Sequence, residues 1–160
     1  MSRNQQEFLT FMLGPEQYAI NILCVQEIRG WHEPDPLPNV PDYVRGVIDL
    51  RGTLVPVIDL RTKFKLDASF TVTTVVIVVQ MGQGDDVRTL GLVVDAVSDV
   101  KTFDTENLQP APDISSNVDQ QYILGLTSIK DQQDKAKMVI LLNLEKLIAE
   151  SLLNQLGRTA

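Results

Sequence analysis

Two aspartates stand four residues apart in the stretch GLVVDAVSDV, at Asp95 and Asp99. On a strand, side chains alternate with period two, so this spacing puts both carboxylates on one face, as acid–base work by a carboxylate pair requires. An acidic β-barrel enzyme built on them needs a concave cleft with at least one carboxyl pKa raised. Acidic residues are far more often solvated, with Asp95 at most a hydrogen-bonded member of a barrel wall, so the enzyme reading is kept only as a remote alternative. The other reactive types are scarce. His32 is the only histidine and Cys24 the only cysteine, which excludes a histidine-based triad, two-histidine metal sites and the usual zinc sets. HExxH, P-loop, GxSxG and GxGxxG patterns are all missing. GQGDD, residues 82–86, has the wrong glycine spacing for a phosphate loop and carries two aspartates, so it reads as a hairpin turn. No catalytic, metal or cofactor site is expected.

The bulk composition agrees with a binding module. At 160 residues, 44% hydrophobic and 22% charged, the chain can bury one ordinary core or two small ones. Its formal charge of −7, with lysines and arginines only interspersed, would repel a phosphate backbone, so nucleic acid is a poor partner. The densest apolar run, VVIVV at 75–79, is far short of the ~20 residues of a membrane helix. MSRNQQEF lacks a signal core, so the protein is expected in the cytoplasm with no direct membrane insertion. Cys24 fits a reducing compartment and reads as a small buried hydrophobe.

The elements that position these residues are mostly strands. EFLTFML and QYAI flank Gly14-Pro15 as strand, turn and strand. Ile22, Leu23, Val25 and Ile28 fit either a helical turn or an irregular strand. Pro34, Pro36, Pro38 and Pro41 make HEPDPLPNVPDY a stiff, exposed connector. VTTVVIVVQM suits a strand covered on both faces, and VRTLGLVVDAVSDV reads as one long returning strand with a bulge or bend at Gly91. Residues 102–121 read as a loop, YILGLTSI and KMVILLNL as two strands. A closing helix follows, capped by Asn143, with Glu145 in its first turn and a stripe of Leu144, Leu147, Ile148, Leu152 and Leu156 before Gly157. Eight to ten short strands with little helix give a mainly β fold.

One stretch writes VIDLR twice around an Arg-Gly pair, VIDLRGTLVPVIDLR, residues 47–61. With Arg51-Gly52 as a two-residue turn, Leu50 faces Thr53 and Val47 faces Pro56. Position 56 then belongs to a pair without hydrogen bonds, and its proline breaks none within the hairpin. The echo is thus two halves of one hairpin, with Arg51 at the turn and Arg61 where the chain leaves the sheet.

VQEIRGW, NVPDYVRGVIDLRGTLVPVIDLR, GLVVDAVSDV, LQPAPD, YILGL and VILLNLEKLI, in this order and spacing, resemble the CheW family of bacterial chemotaxis coupling proteins, from about Phe8 to Leu153. The resemblance implies two interleaved SH3-like five-stranded β-barrel subdomains with a hydrophobic seam and a C-terminal helix. It implies one CheW-like domain over residues 7–155, with subdomain 1 at about 15–64 and subdomain 2 at about 65–140. The N-terminal strand and C-terminal helix are expected to pack on this body. The family has no enzymatic activity. Its members couple the cytoplasmic tip of methyl-accepting chemoreceptors to the regulatory domain of the chemotaxis histidine kinase, which brings the protein to membrane-associated arrays.

Carried over residue by residue, the resemblance implies receptor binding by Val25, Glu27, Arg51, Val76 and Val97, and kinase binding by Pro41, Tyr43 and Gly46. Val25 and Ile28, beside Glu27, Arg29 and Trp31, read either as part of one such surface or as core, with Trp31 on the proline connector. One departure is Asp49, where the family's hairpin tip usually has asparagine; Arg51 and Arg45 are its candidate partners. A coupling protein of a pilus-motility or other chemosensory-like cascade is the alternative within the family. The length fits a free-standing unit, expected to be a monomer when alone.

Overall fold

The computed structural model describes residues 5–82, 84, 87–110, 120–130 and 133–149. The described strands are β1 (Gln5–Leu13), β2 (Glu16–Asn21), β3 (Val25–Gly30), β4 (Val44–Leu50), β5 (Thr53–Asp59), β6 (Val75–Met81), β7 (Arg88–Val94), β8 (Ala96–Asp104), β9 (Ile123–Lys130) and β10 (Ala136–Leu142). A single helical turn, α1 (Leu60–Lys63), follows β5, and residues 144–149 form a second helix, α2. The fold is mainly β, two five-stranded SH3-like barrels with the sheet orders β8-β1-β2-β10-β9 and β3-β6-β7-β5-β4. Each sheet has one parallel pair, β2 with β10 and β5 with β7; the other neighbours are antiparallel.

The near-continuous apolar strands are explained by burial on both faces. In β1, Leu9, Phe11 and Leu13 point into a seam between the sheets, while Phe8 points into the first barrel with Ala19, Phe103, Val139 and Leu141. In β6, Ile77 and Val79 join the seam, and Val76 and Val78 fill the second barrel with Val57 and Val93. The period of two thus serves two cores at once. Asn143 caps α2 by accepting from the Lys146 amide at 3.2 Å, and Leu144, Leu147 and Ile148 lie in the seam. Leu152, Leu156 and Gly157 of the expected stripe lie outside the described residues.

Several expectations need correction. The sheets do not divide the chain at residues 64 and 65: β3 to β7 make one barrel, whereas β1 and β2 pair with β8, β9 and β10 to make the other. The stretch VRTLGLVVDAVSDV is not one strand, because the chain passes from one sheet to the other at Asp95, between β7 and β8. Gly91 is no bulge; it lies in regular register with Val78 and Val57, and a Cβ there would come 2.9 Å from Val76 Cγ1. The bulge is at Ser98, where Thr10 Oγ1 donates to the Asp99 carbonyl at 2.9 Å and accepts the Asp99 amide at 3.1 Å. The stretch 102–121 is not all loop: β8 runs to Asp104 and Gln109 bridges to Leu126, while residues 111–119 lie outside the described residues. In GQGDD, Gly82 and Gly84 have φ of 100° and 60°, and residues 83, 85 and 86 lie outside the described residues. The ambiguous stretch after β2 is both things in turn, a 3-10 turn at Ile22–Cys24 and then β3.

The strand orders reveal an internal duplication. Reading β3 to β7, and then β8 through β10 and on to β1 and β2, gives the same order and the same parallel pair. Local irregularities match as well. A bulge residue, Gln26 or Ser98, sits in the leading strand of each half. Asp35 bridges Val47 as Gln109 bridges Leu126. Beneath each bridge lies a glycine that the crossing backbone requires: a Cβ on Gly46 would overlap the Asp35 carbonyl, and one on Gly125 would come 2.7 Å from Leu108 Cβ. Asp59 caps α1 and Asn143 caps α2.

Candidate partner-binding surface

The hairpin β4–β5 turns at Arg51-Gly52 with φ of 51° and 87°, the doubly positive backbone of a tight two-residue hairpin. Its register pairs Leu50 with Thr53 and Val47 with Pro56. Val47 exchanges both its backbone hydrogen bonds with Asp35, at 2.8 and 3.0 Å, so it needs no donor from Pro56. Pro56 therefore breaks no hydrogen bond of the hairpin, as its register predicts, and the Asp35 segment takes up the outward edge of Val47. Asp49 pairs with neither arginine; its Oδ1 accepts the Gly52 amide at 2.8 Å and ties the turn.

Arg51 aims its Nη1 and Nη2 at one carboxylate oxygen, Glu27 Oε1, at 3.0 and 2.8 Å. Glu27 belongs to β3, the opposite edge of the sheet from β4, so this pair closes the barrel at its rim. Arg29 Nε lies 3.9 Å from the other Glu27 oxygen. The Arg51 side chain is still 75% exposed and that of Glu27 28% exposed, a setting in which an ion pair contributes roughly 0–1 kcal/mol. The pair orients a charge more than it stabilises the fold. Beside it an open cleft is lined by Gln26, Leu50, Thr53, Val55 and Gln80. Leu54, exposed next to the tip, is an apolar contact that the sequence reading passed over, although alternation with buried Val55 marks it.

The other residues expected at a receptor face separate. Val25 and Val97 are half-buried against the seam, at matching places in the two halves, each preceding the bulge residue. Ile28 is 44% exposed, so the two apolar positions of β3 do different things. Val76 is buried inside the second barrel and offers no side-chain surface. Trp31 is half-buried, stacked on Phe70 with centroids 4.4 Å apart and packed against the apolar interior of the second barrel.

Of the residues expected at a kinase face, Pro41 and Tyr43 are half-buried and Gly46 is buried. The Tyr43 carbonyl accepts the Asp59 amide at 2.8 Å, and its ring lies 4.1 Å below Lys63 Nζ. Lys63 also stands 5.2 Å from the Tyr122 ring, so it touches aromatic residues on both sides of the seam. Gly46 shapes the surface from beneath, by admitting the Asp35 segment, and has no side chain to present.

Asp95 and Asp99 do not form a pair of acids on one strand face. Asp95 lies in the bend between strands, where Oδ1 takes Arg61 Nη1 at 2.9 Å and Oδ2 the Gly14 amide at 2.6 Å. Asp99 follows the Ser98 bulge, its side chain 64% exposed and 3.5 Å from Lys101 Nζ. The Cys24 thiol is half-buried and its pKa is pushed up by that desolvation, which makes it a poor nucleophile.

Comparison with known proteins places this geometry among relatives. A family model for the CheW-like domain matches residues 7–152. The chain is 44% identical over 145 residues to the chemotaxis protein CheW of Klebsiella aerogenes, covering 90% of this chain and 82% of that protein. It is 38% identical over 152 residues to the probable chemotaxis protein CheW of Rhizobium etli, covering 94% and 92% of the two chains. The crystal structure of the scaffolding protein TtCheW from Thermoanaerobacter tengcongensis superposes with a TM-score of 0.74 at 28% identity, over 87% of this chain and 84% of that one.

Proposed function

This chain belongs to the CheW family of non-catalytic chemotaxis scaffold proteins, and from that premise we propose that it couples transmembrane chemoreceptors to a chemotaxis histidine kinase. In this reading the cytoplasmic tip of a methyl-accepting chemoreceptor engages the rim around Glu27 and Arg51, with Val25 and Val97 at the seam. The regulatory domain of the kinase engages the connector and the strand after it, at Pro41 and Tyr43. Gly46 supports that second face from below and Val76 supports the first from inside the barrel. The protein is recruited to receptor arrays at the membrane by these contacts; no helix among the described residues is long and apolar enough to cross a membrane.

The observation that carries the reading is the Arg51–Glu27 pair. It holds a guanidinium at a stiff turn with most of its surface open, suited to meet a carboxylate on a partner. A face of roughly 800 Å² per partner is the usual size for a specific, reversible contact.

Calorimetric titration against the kinase regulatory domain and against a receptor tip fragment, both from the same source, tests the proposal. Arg51→Glu is expected to weaken receptor binding at least tenfold and leave kinase binding unchanged; Tyr43→Ala is expected to do the reverse. Equal losses for both partners in both variants would sink the division into two faces. Binding of neither partner by the wild type would overturn the chemoreceptor reading and direct the search to a pilus-motility or other chemosensory-like cascade.

A further inference from the structure

The second arginine of the VIDLR echo has no part in the surface described above, yet it is the largest fully buried side chain among the described residues. Arg61 Nε and Nη2 meet Asp59 Oδ1 and Oδ2 at 2.9 and 3.0 Å, a bidentate fork within the second barrel. Its Nη1 reaches Asp95 Oδ1 at 2.9 Å and the Ser69 carbonyl at 2.5 Å, and the guanidinium lies 4.8 Å from the Phe70 ring centroid. Arg45 Nη2 adds a second cation 3.1 Å from Asp59 Oδ2, so the two arginines balance the two aspartates.

Asp95 is the one residue between β7 of the second barrel and β8 of the first. Its other oxygen takes the amide of Gly14, in the β1–β2 turn of the first barrel. One carboxylate therefore joins a buried cation of one barrel to a backbone donor of the other.

The seam itself is apolar and so non-directional: it favours contact between the barrels without selecting one angle. Directed bonds do select one: the Arg61 end of this bridge is fully buried, while the Asp95 side chain is 30% exposed and its bond to the Gly14 amide lies at the surface, and register is the best attested use of buried polar groups. The duplication shows that this network is not a requirement of the barrel. In the other half, Asn143 and Leu144 correspond to Asp59 and Leu60, and the next residue, Glu145, is exposed where Arg61 is buried. The crossing turn of that half, Ile22–Cys24, carries no carboxylate.

We propose that Arg61 is a positioning residue that, through Asp95 and the Gly14 amide, fixes the relative orientation of the two barrels from one side of the seam. For a scaffold this angle decides how its partner faces are disposed. That consequence rests on the proposed function, whereas the orientation can be measured on the protein alone.

The test is backbone residual dipolar couplings of the full chain, fitted for each barrel separately and then jointly, in the wild type, Asp95→Asn and Asp95→Ala. The wild type is expected to fit one alignment tensor. In Asp95→Ala each barrel should fit its own tensor while the joint fit is lost, and the Gly14 amide should lose its exchange protection. Asp95→Asn keeps an acceptor for Gly14 but loses the charge, and is expected to shift the joint solution without melting either barrel. A joint fit at the wild-type orientation in both variants would overturn the proposal. So would melting of the barrels themselves in both, because the pair would then be a condition of folding.

Discussion

The two arginines of the echo show how little a residue's neighbours in sequence determine its role. Arg51 and Arg61 both follow VIDL, but one stands at a turn with three-quarters of its side chain in water, and the other is fully buried between two aspartates. Removing Arg51 should change stability by less than about 1 kcal/mol, as for other exposed pairs. Arg61→Met should cost about 3–5 kcal/mol, because it leaves buried Asp59 with a lost partner. Urea unfolding of the two variants checks this, and equal losses would contradict it. Burial lowers the Arg61 pKa, but its bonds to Asp59 and Asp95 and their charges outweigh that and raise it. Arg61 thus stays charged. Tyr18 supplies the pH dependence. Burial first, then the charge of Glu16, raises its phenol pKa. The fold favours the neutral phenol, so this contribution is complete below the unfolded-state value of about 10 and is lost as pH rises from there toward the folded value. The urea midpoint is expected to fall above about pH 10 and to fall less in Tyr18→Phe; equal slopes would refute the assignment.

Glycines under crossing backbone decide the elements. Gly46 has φ of 140° and lies against the Asp35 carbonyl, so Gly46→Ala should detach the Asp35 segment from β4. Amide exchange at Asp35 and Val47 is expected to accelerate, with β1 and β2 unaffected; unchanged protection would show that the strand tolerates a Cβ. It follows that an acidic substitution at Gly46 would be a poor probe of a kinase face, since it would deform the connector as well. At this scale the hairpin register, the proline's place and the cap at Asn143 were legible in the sequence, because each depends on residues close along the chain. The Ser98 bulge was not, since the hydroxyl that seals it, Thr10, lies 89 residues away from Asp99. The same distance in sequence hid the fate of Asp95: alternation put it on a face with Asp99, while its partners come from Arg61 and the β1–β2 turn.

For the molecule as a whole, the barrels and their seam could be expected from the family resemblance, but the assignment of strands could not be read from a contiguous division of the chain. β1 and β2 belong with strands that come more than seventy residues later, because the duplicated unit is completed across the two ends of the fold. The duplication was invisible in the letters because it is conserved in irregularities, a bulge, a bridge over glycine and a cap, and not in residue identity. Most of the large apolar side chains among the described residues are drawn into the seam and the two barrel interiors, and those left exposed, such as Leu23, Leu54 and Val72, are scattered along the chain; the isolated protein is expected to sediment as a monomer at micromolar concentration. A stable dimer would mean that one of the candidate faces binds a second copy. In the proposed function this protein couples receptor state to kinase activity. The most direct measurement is the autophosphorylation rate of the cognate chemotaxis kinase in receptor-containing membranes, with and without this protein and with attractant added or withheld. The rate is predicted to respond to attractant only when the protein is present, and to lose that response with Arg51→Glu; a response that is the same without the protein would contradict the account.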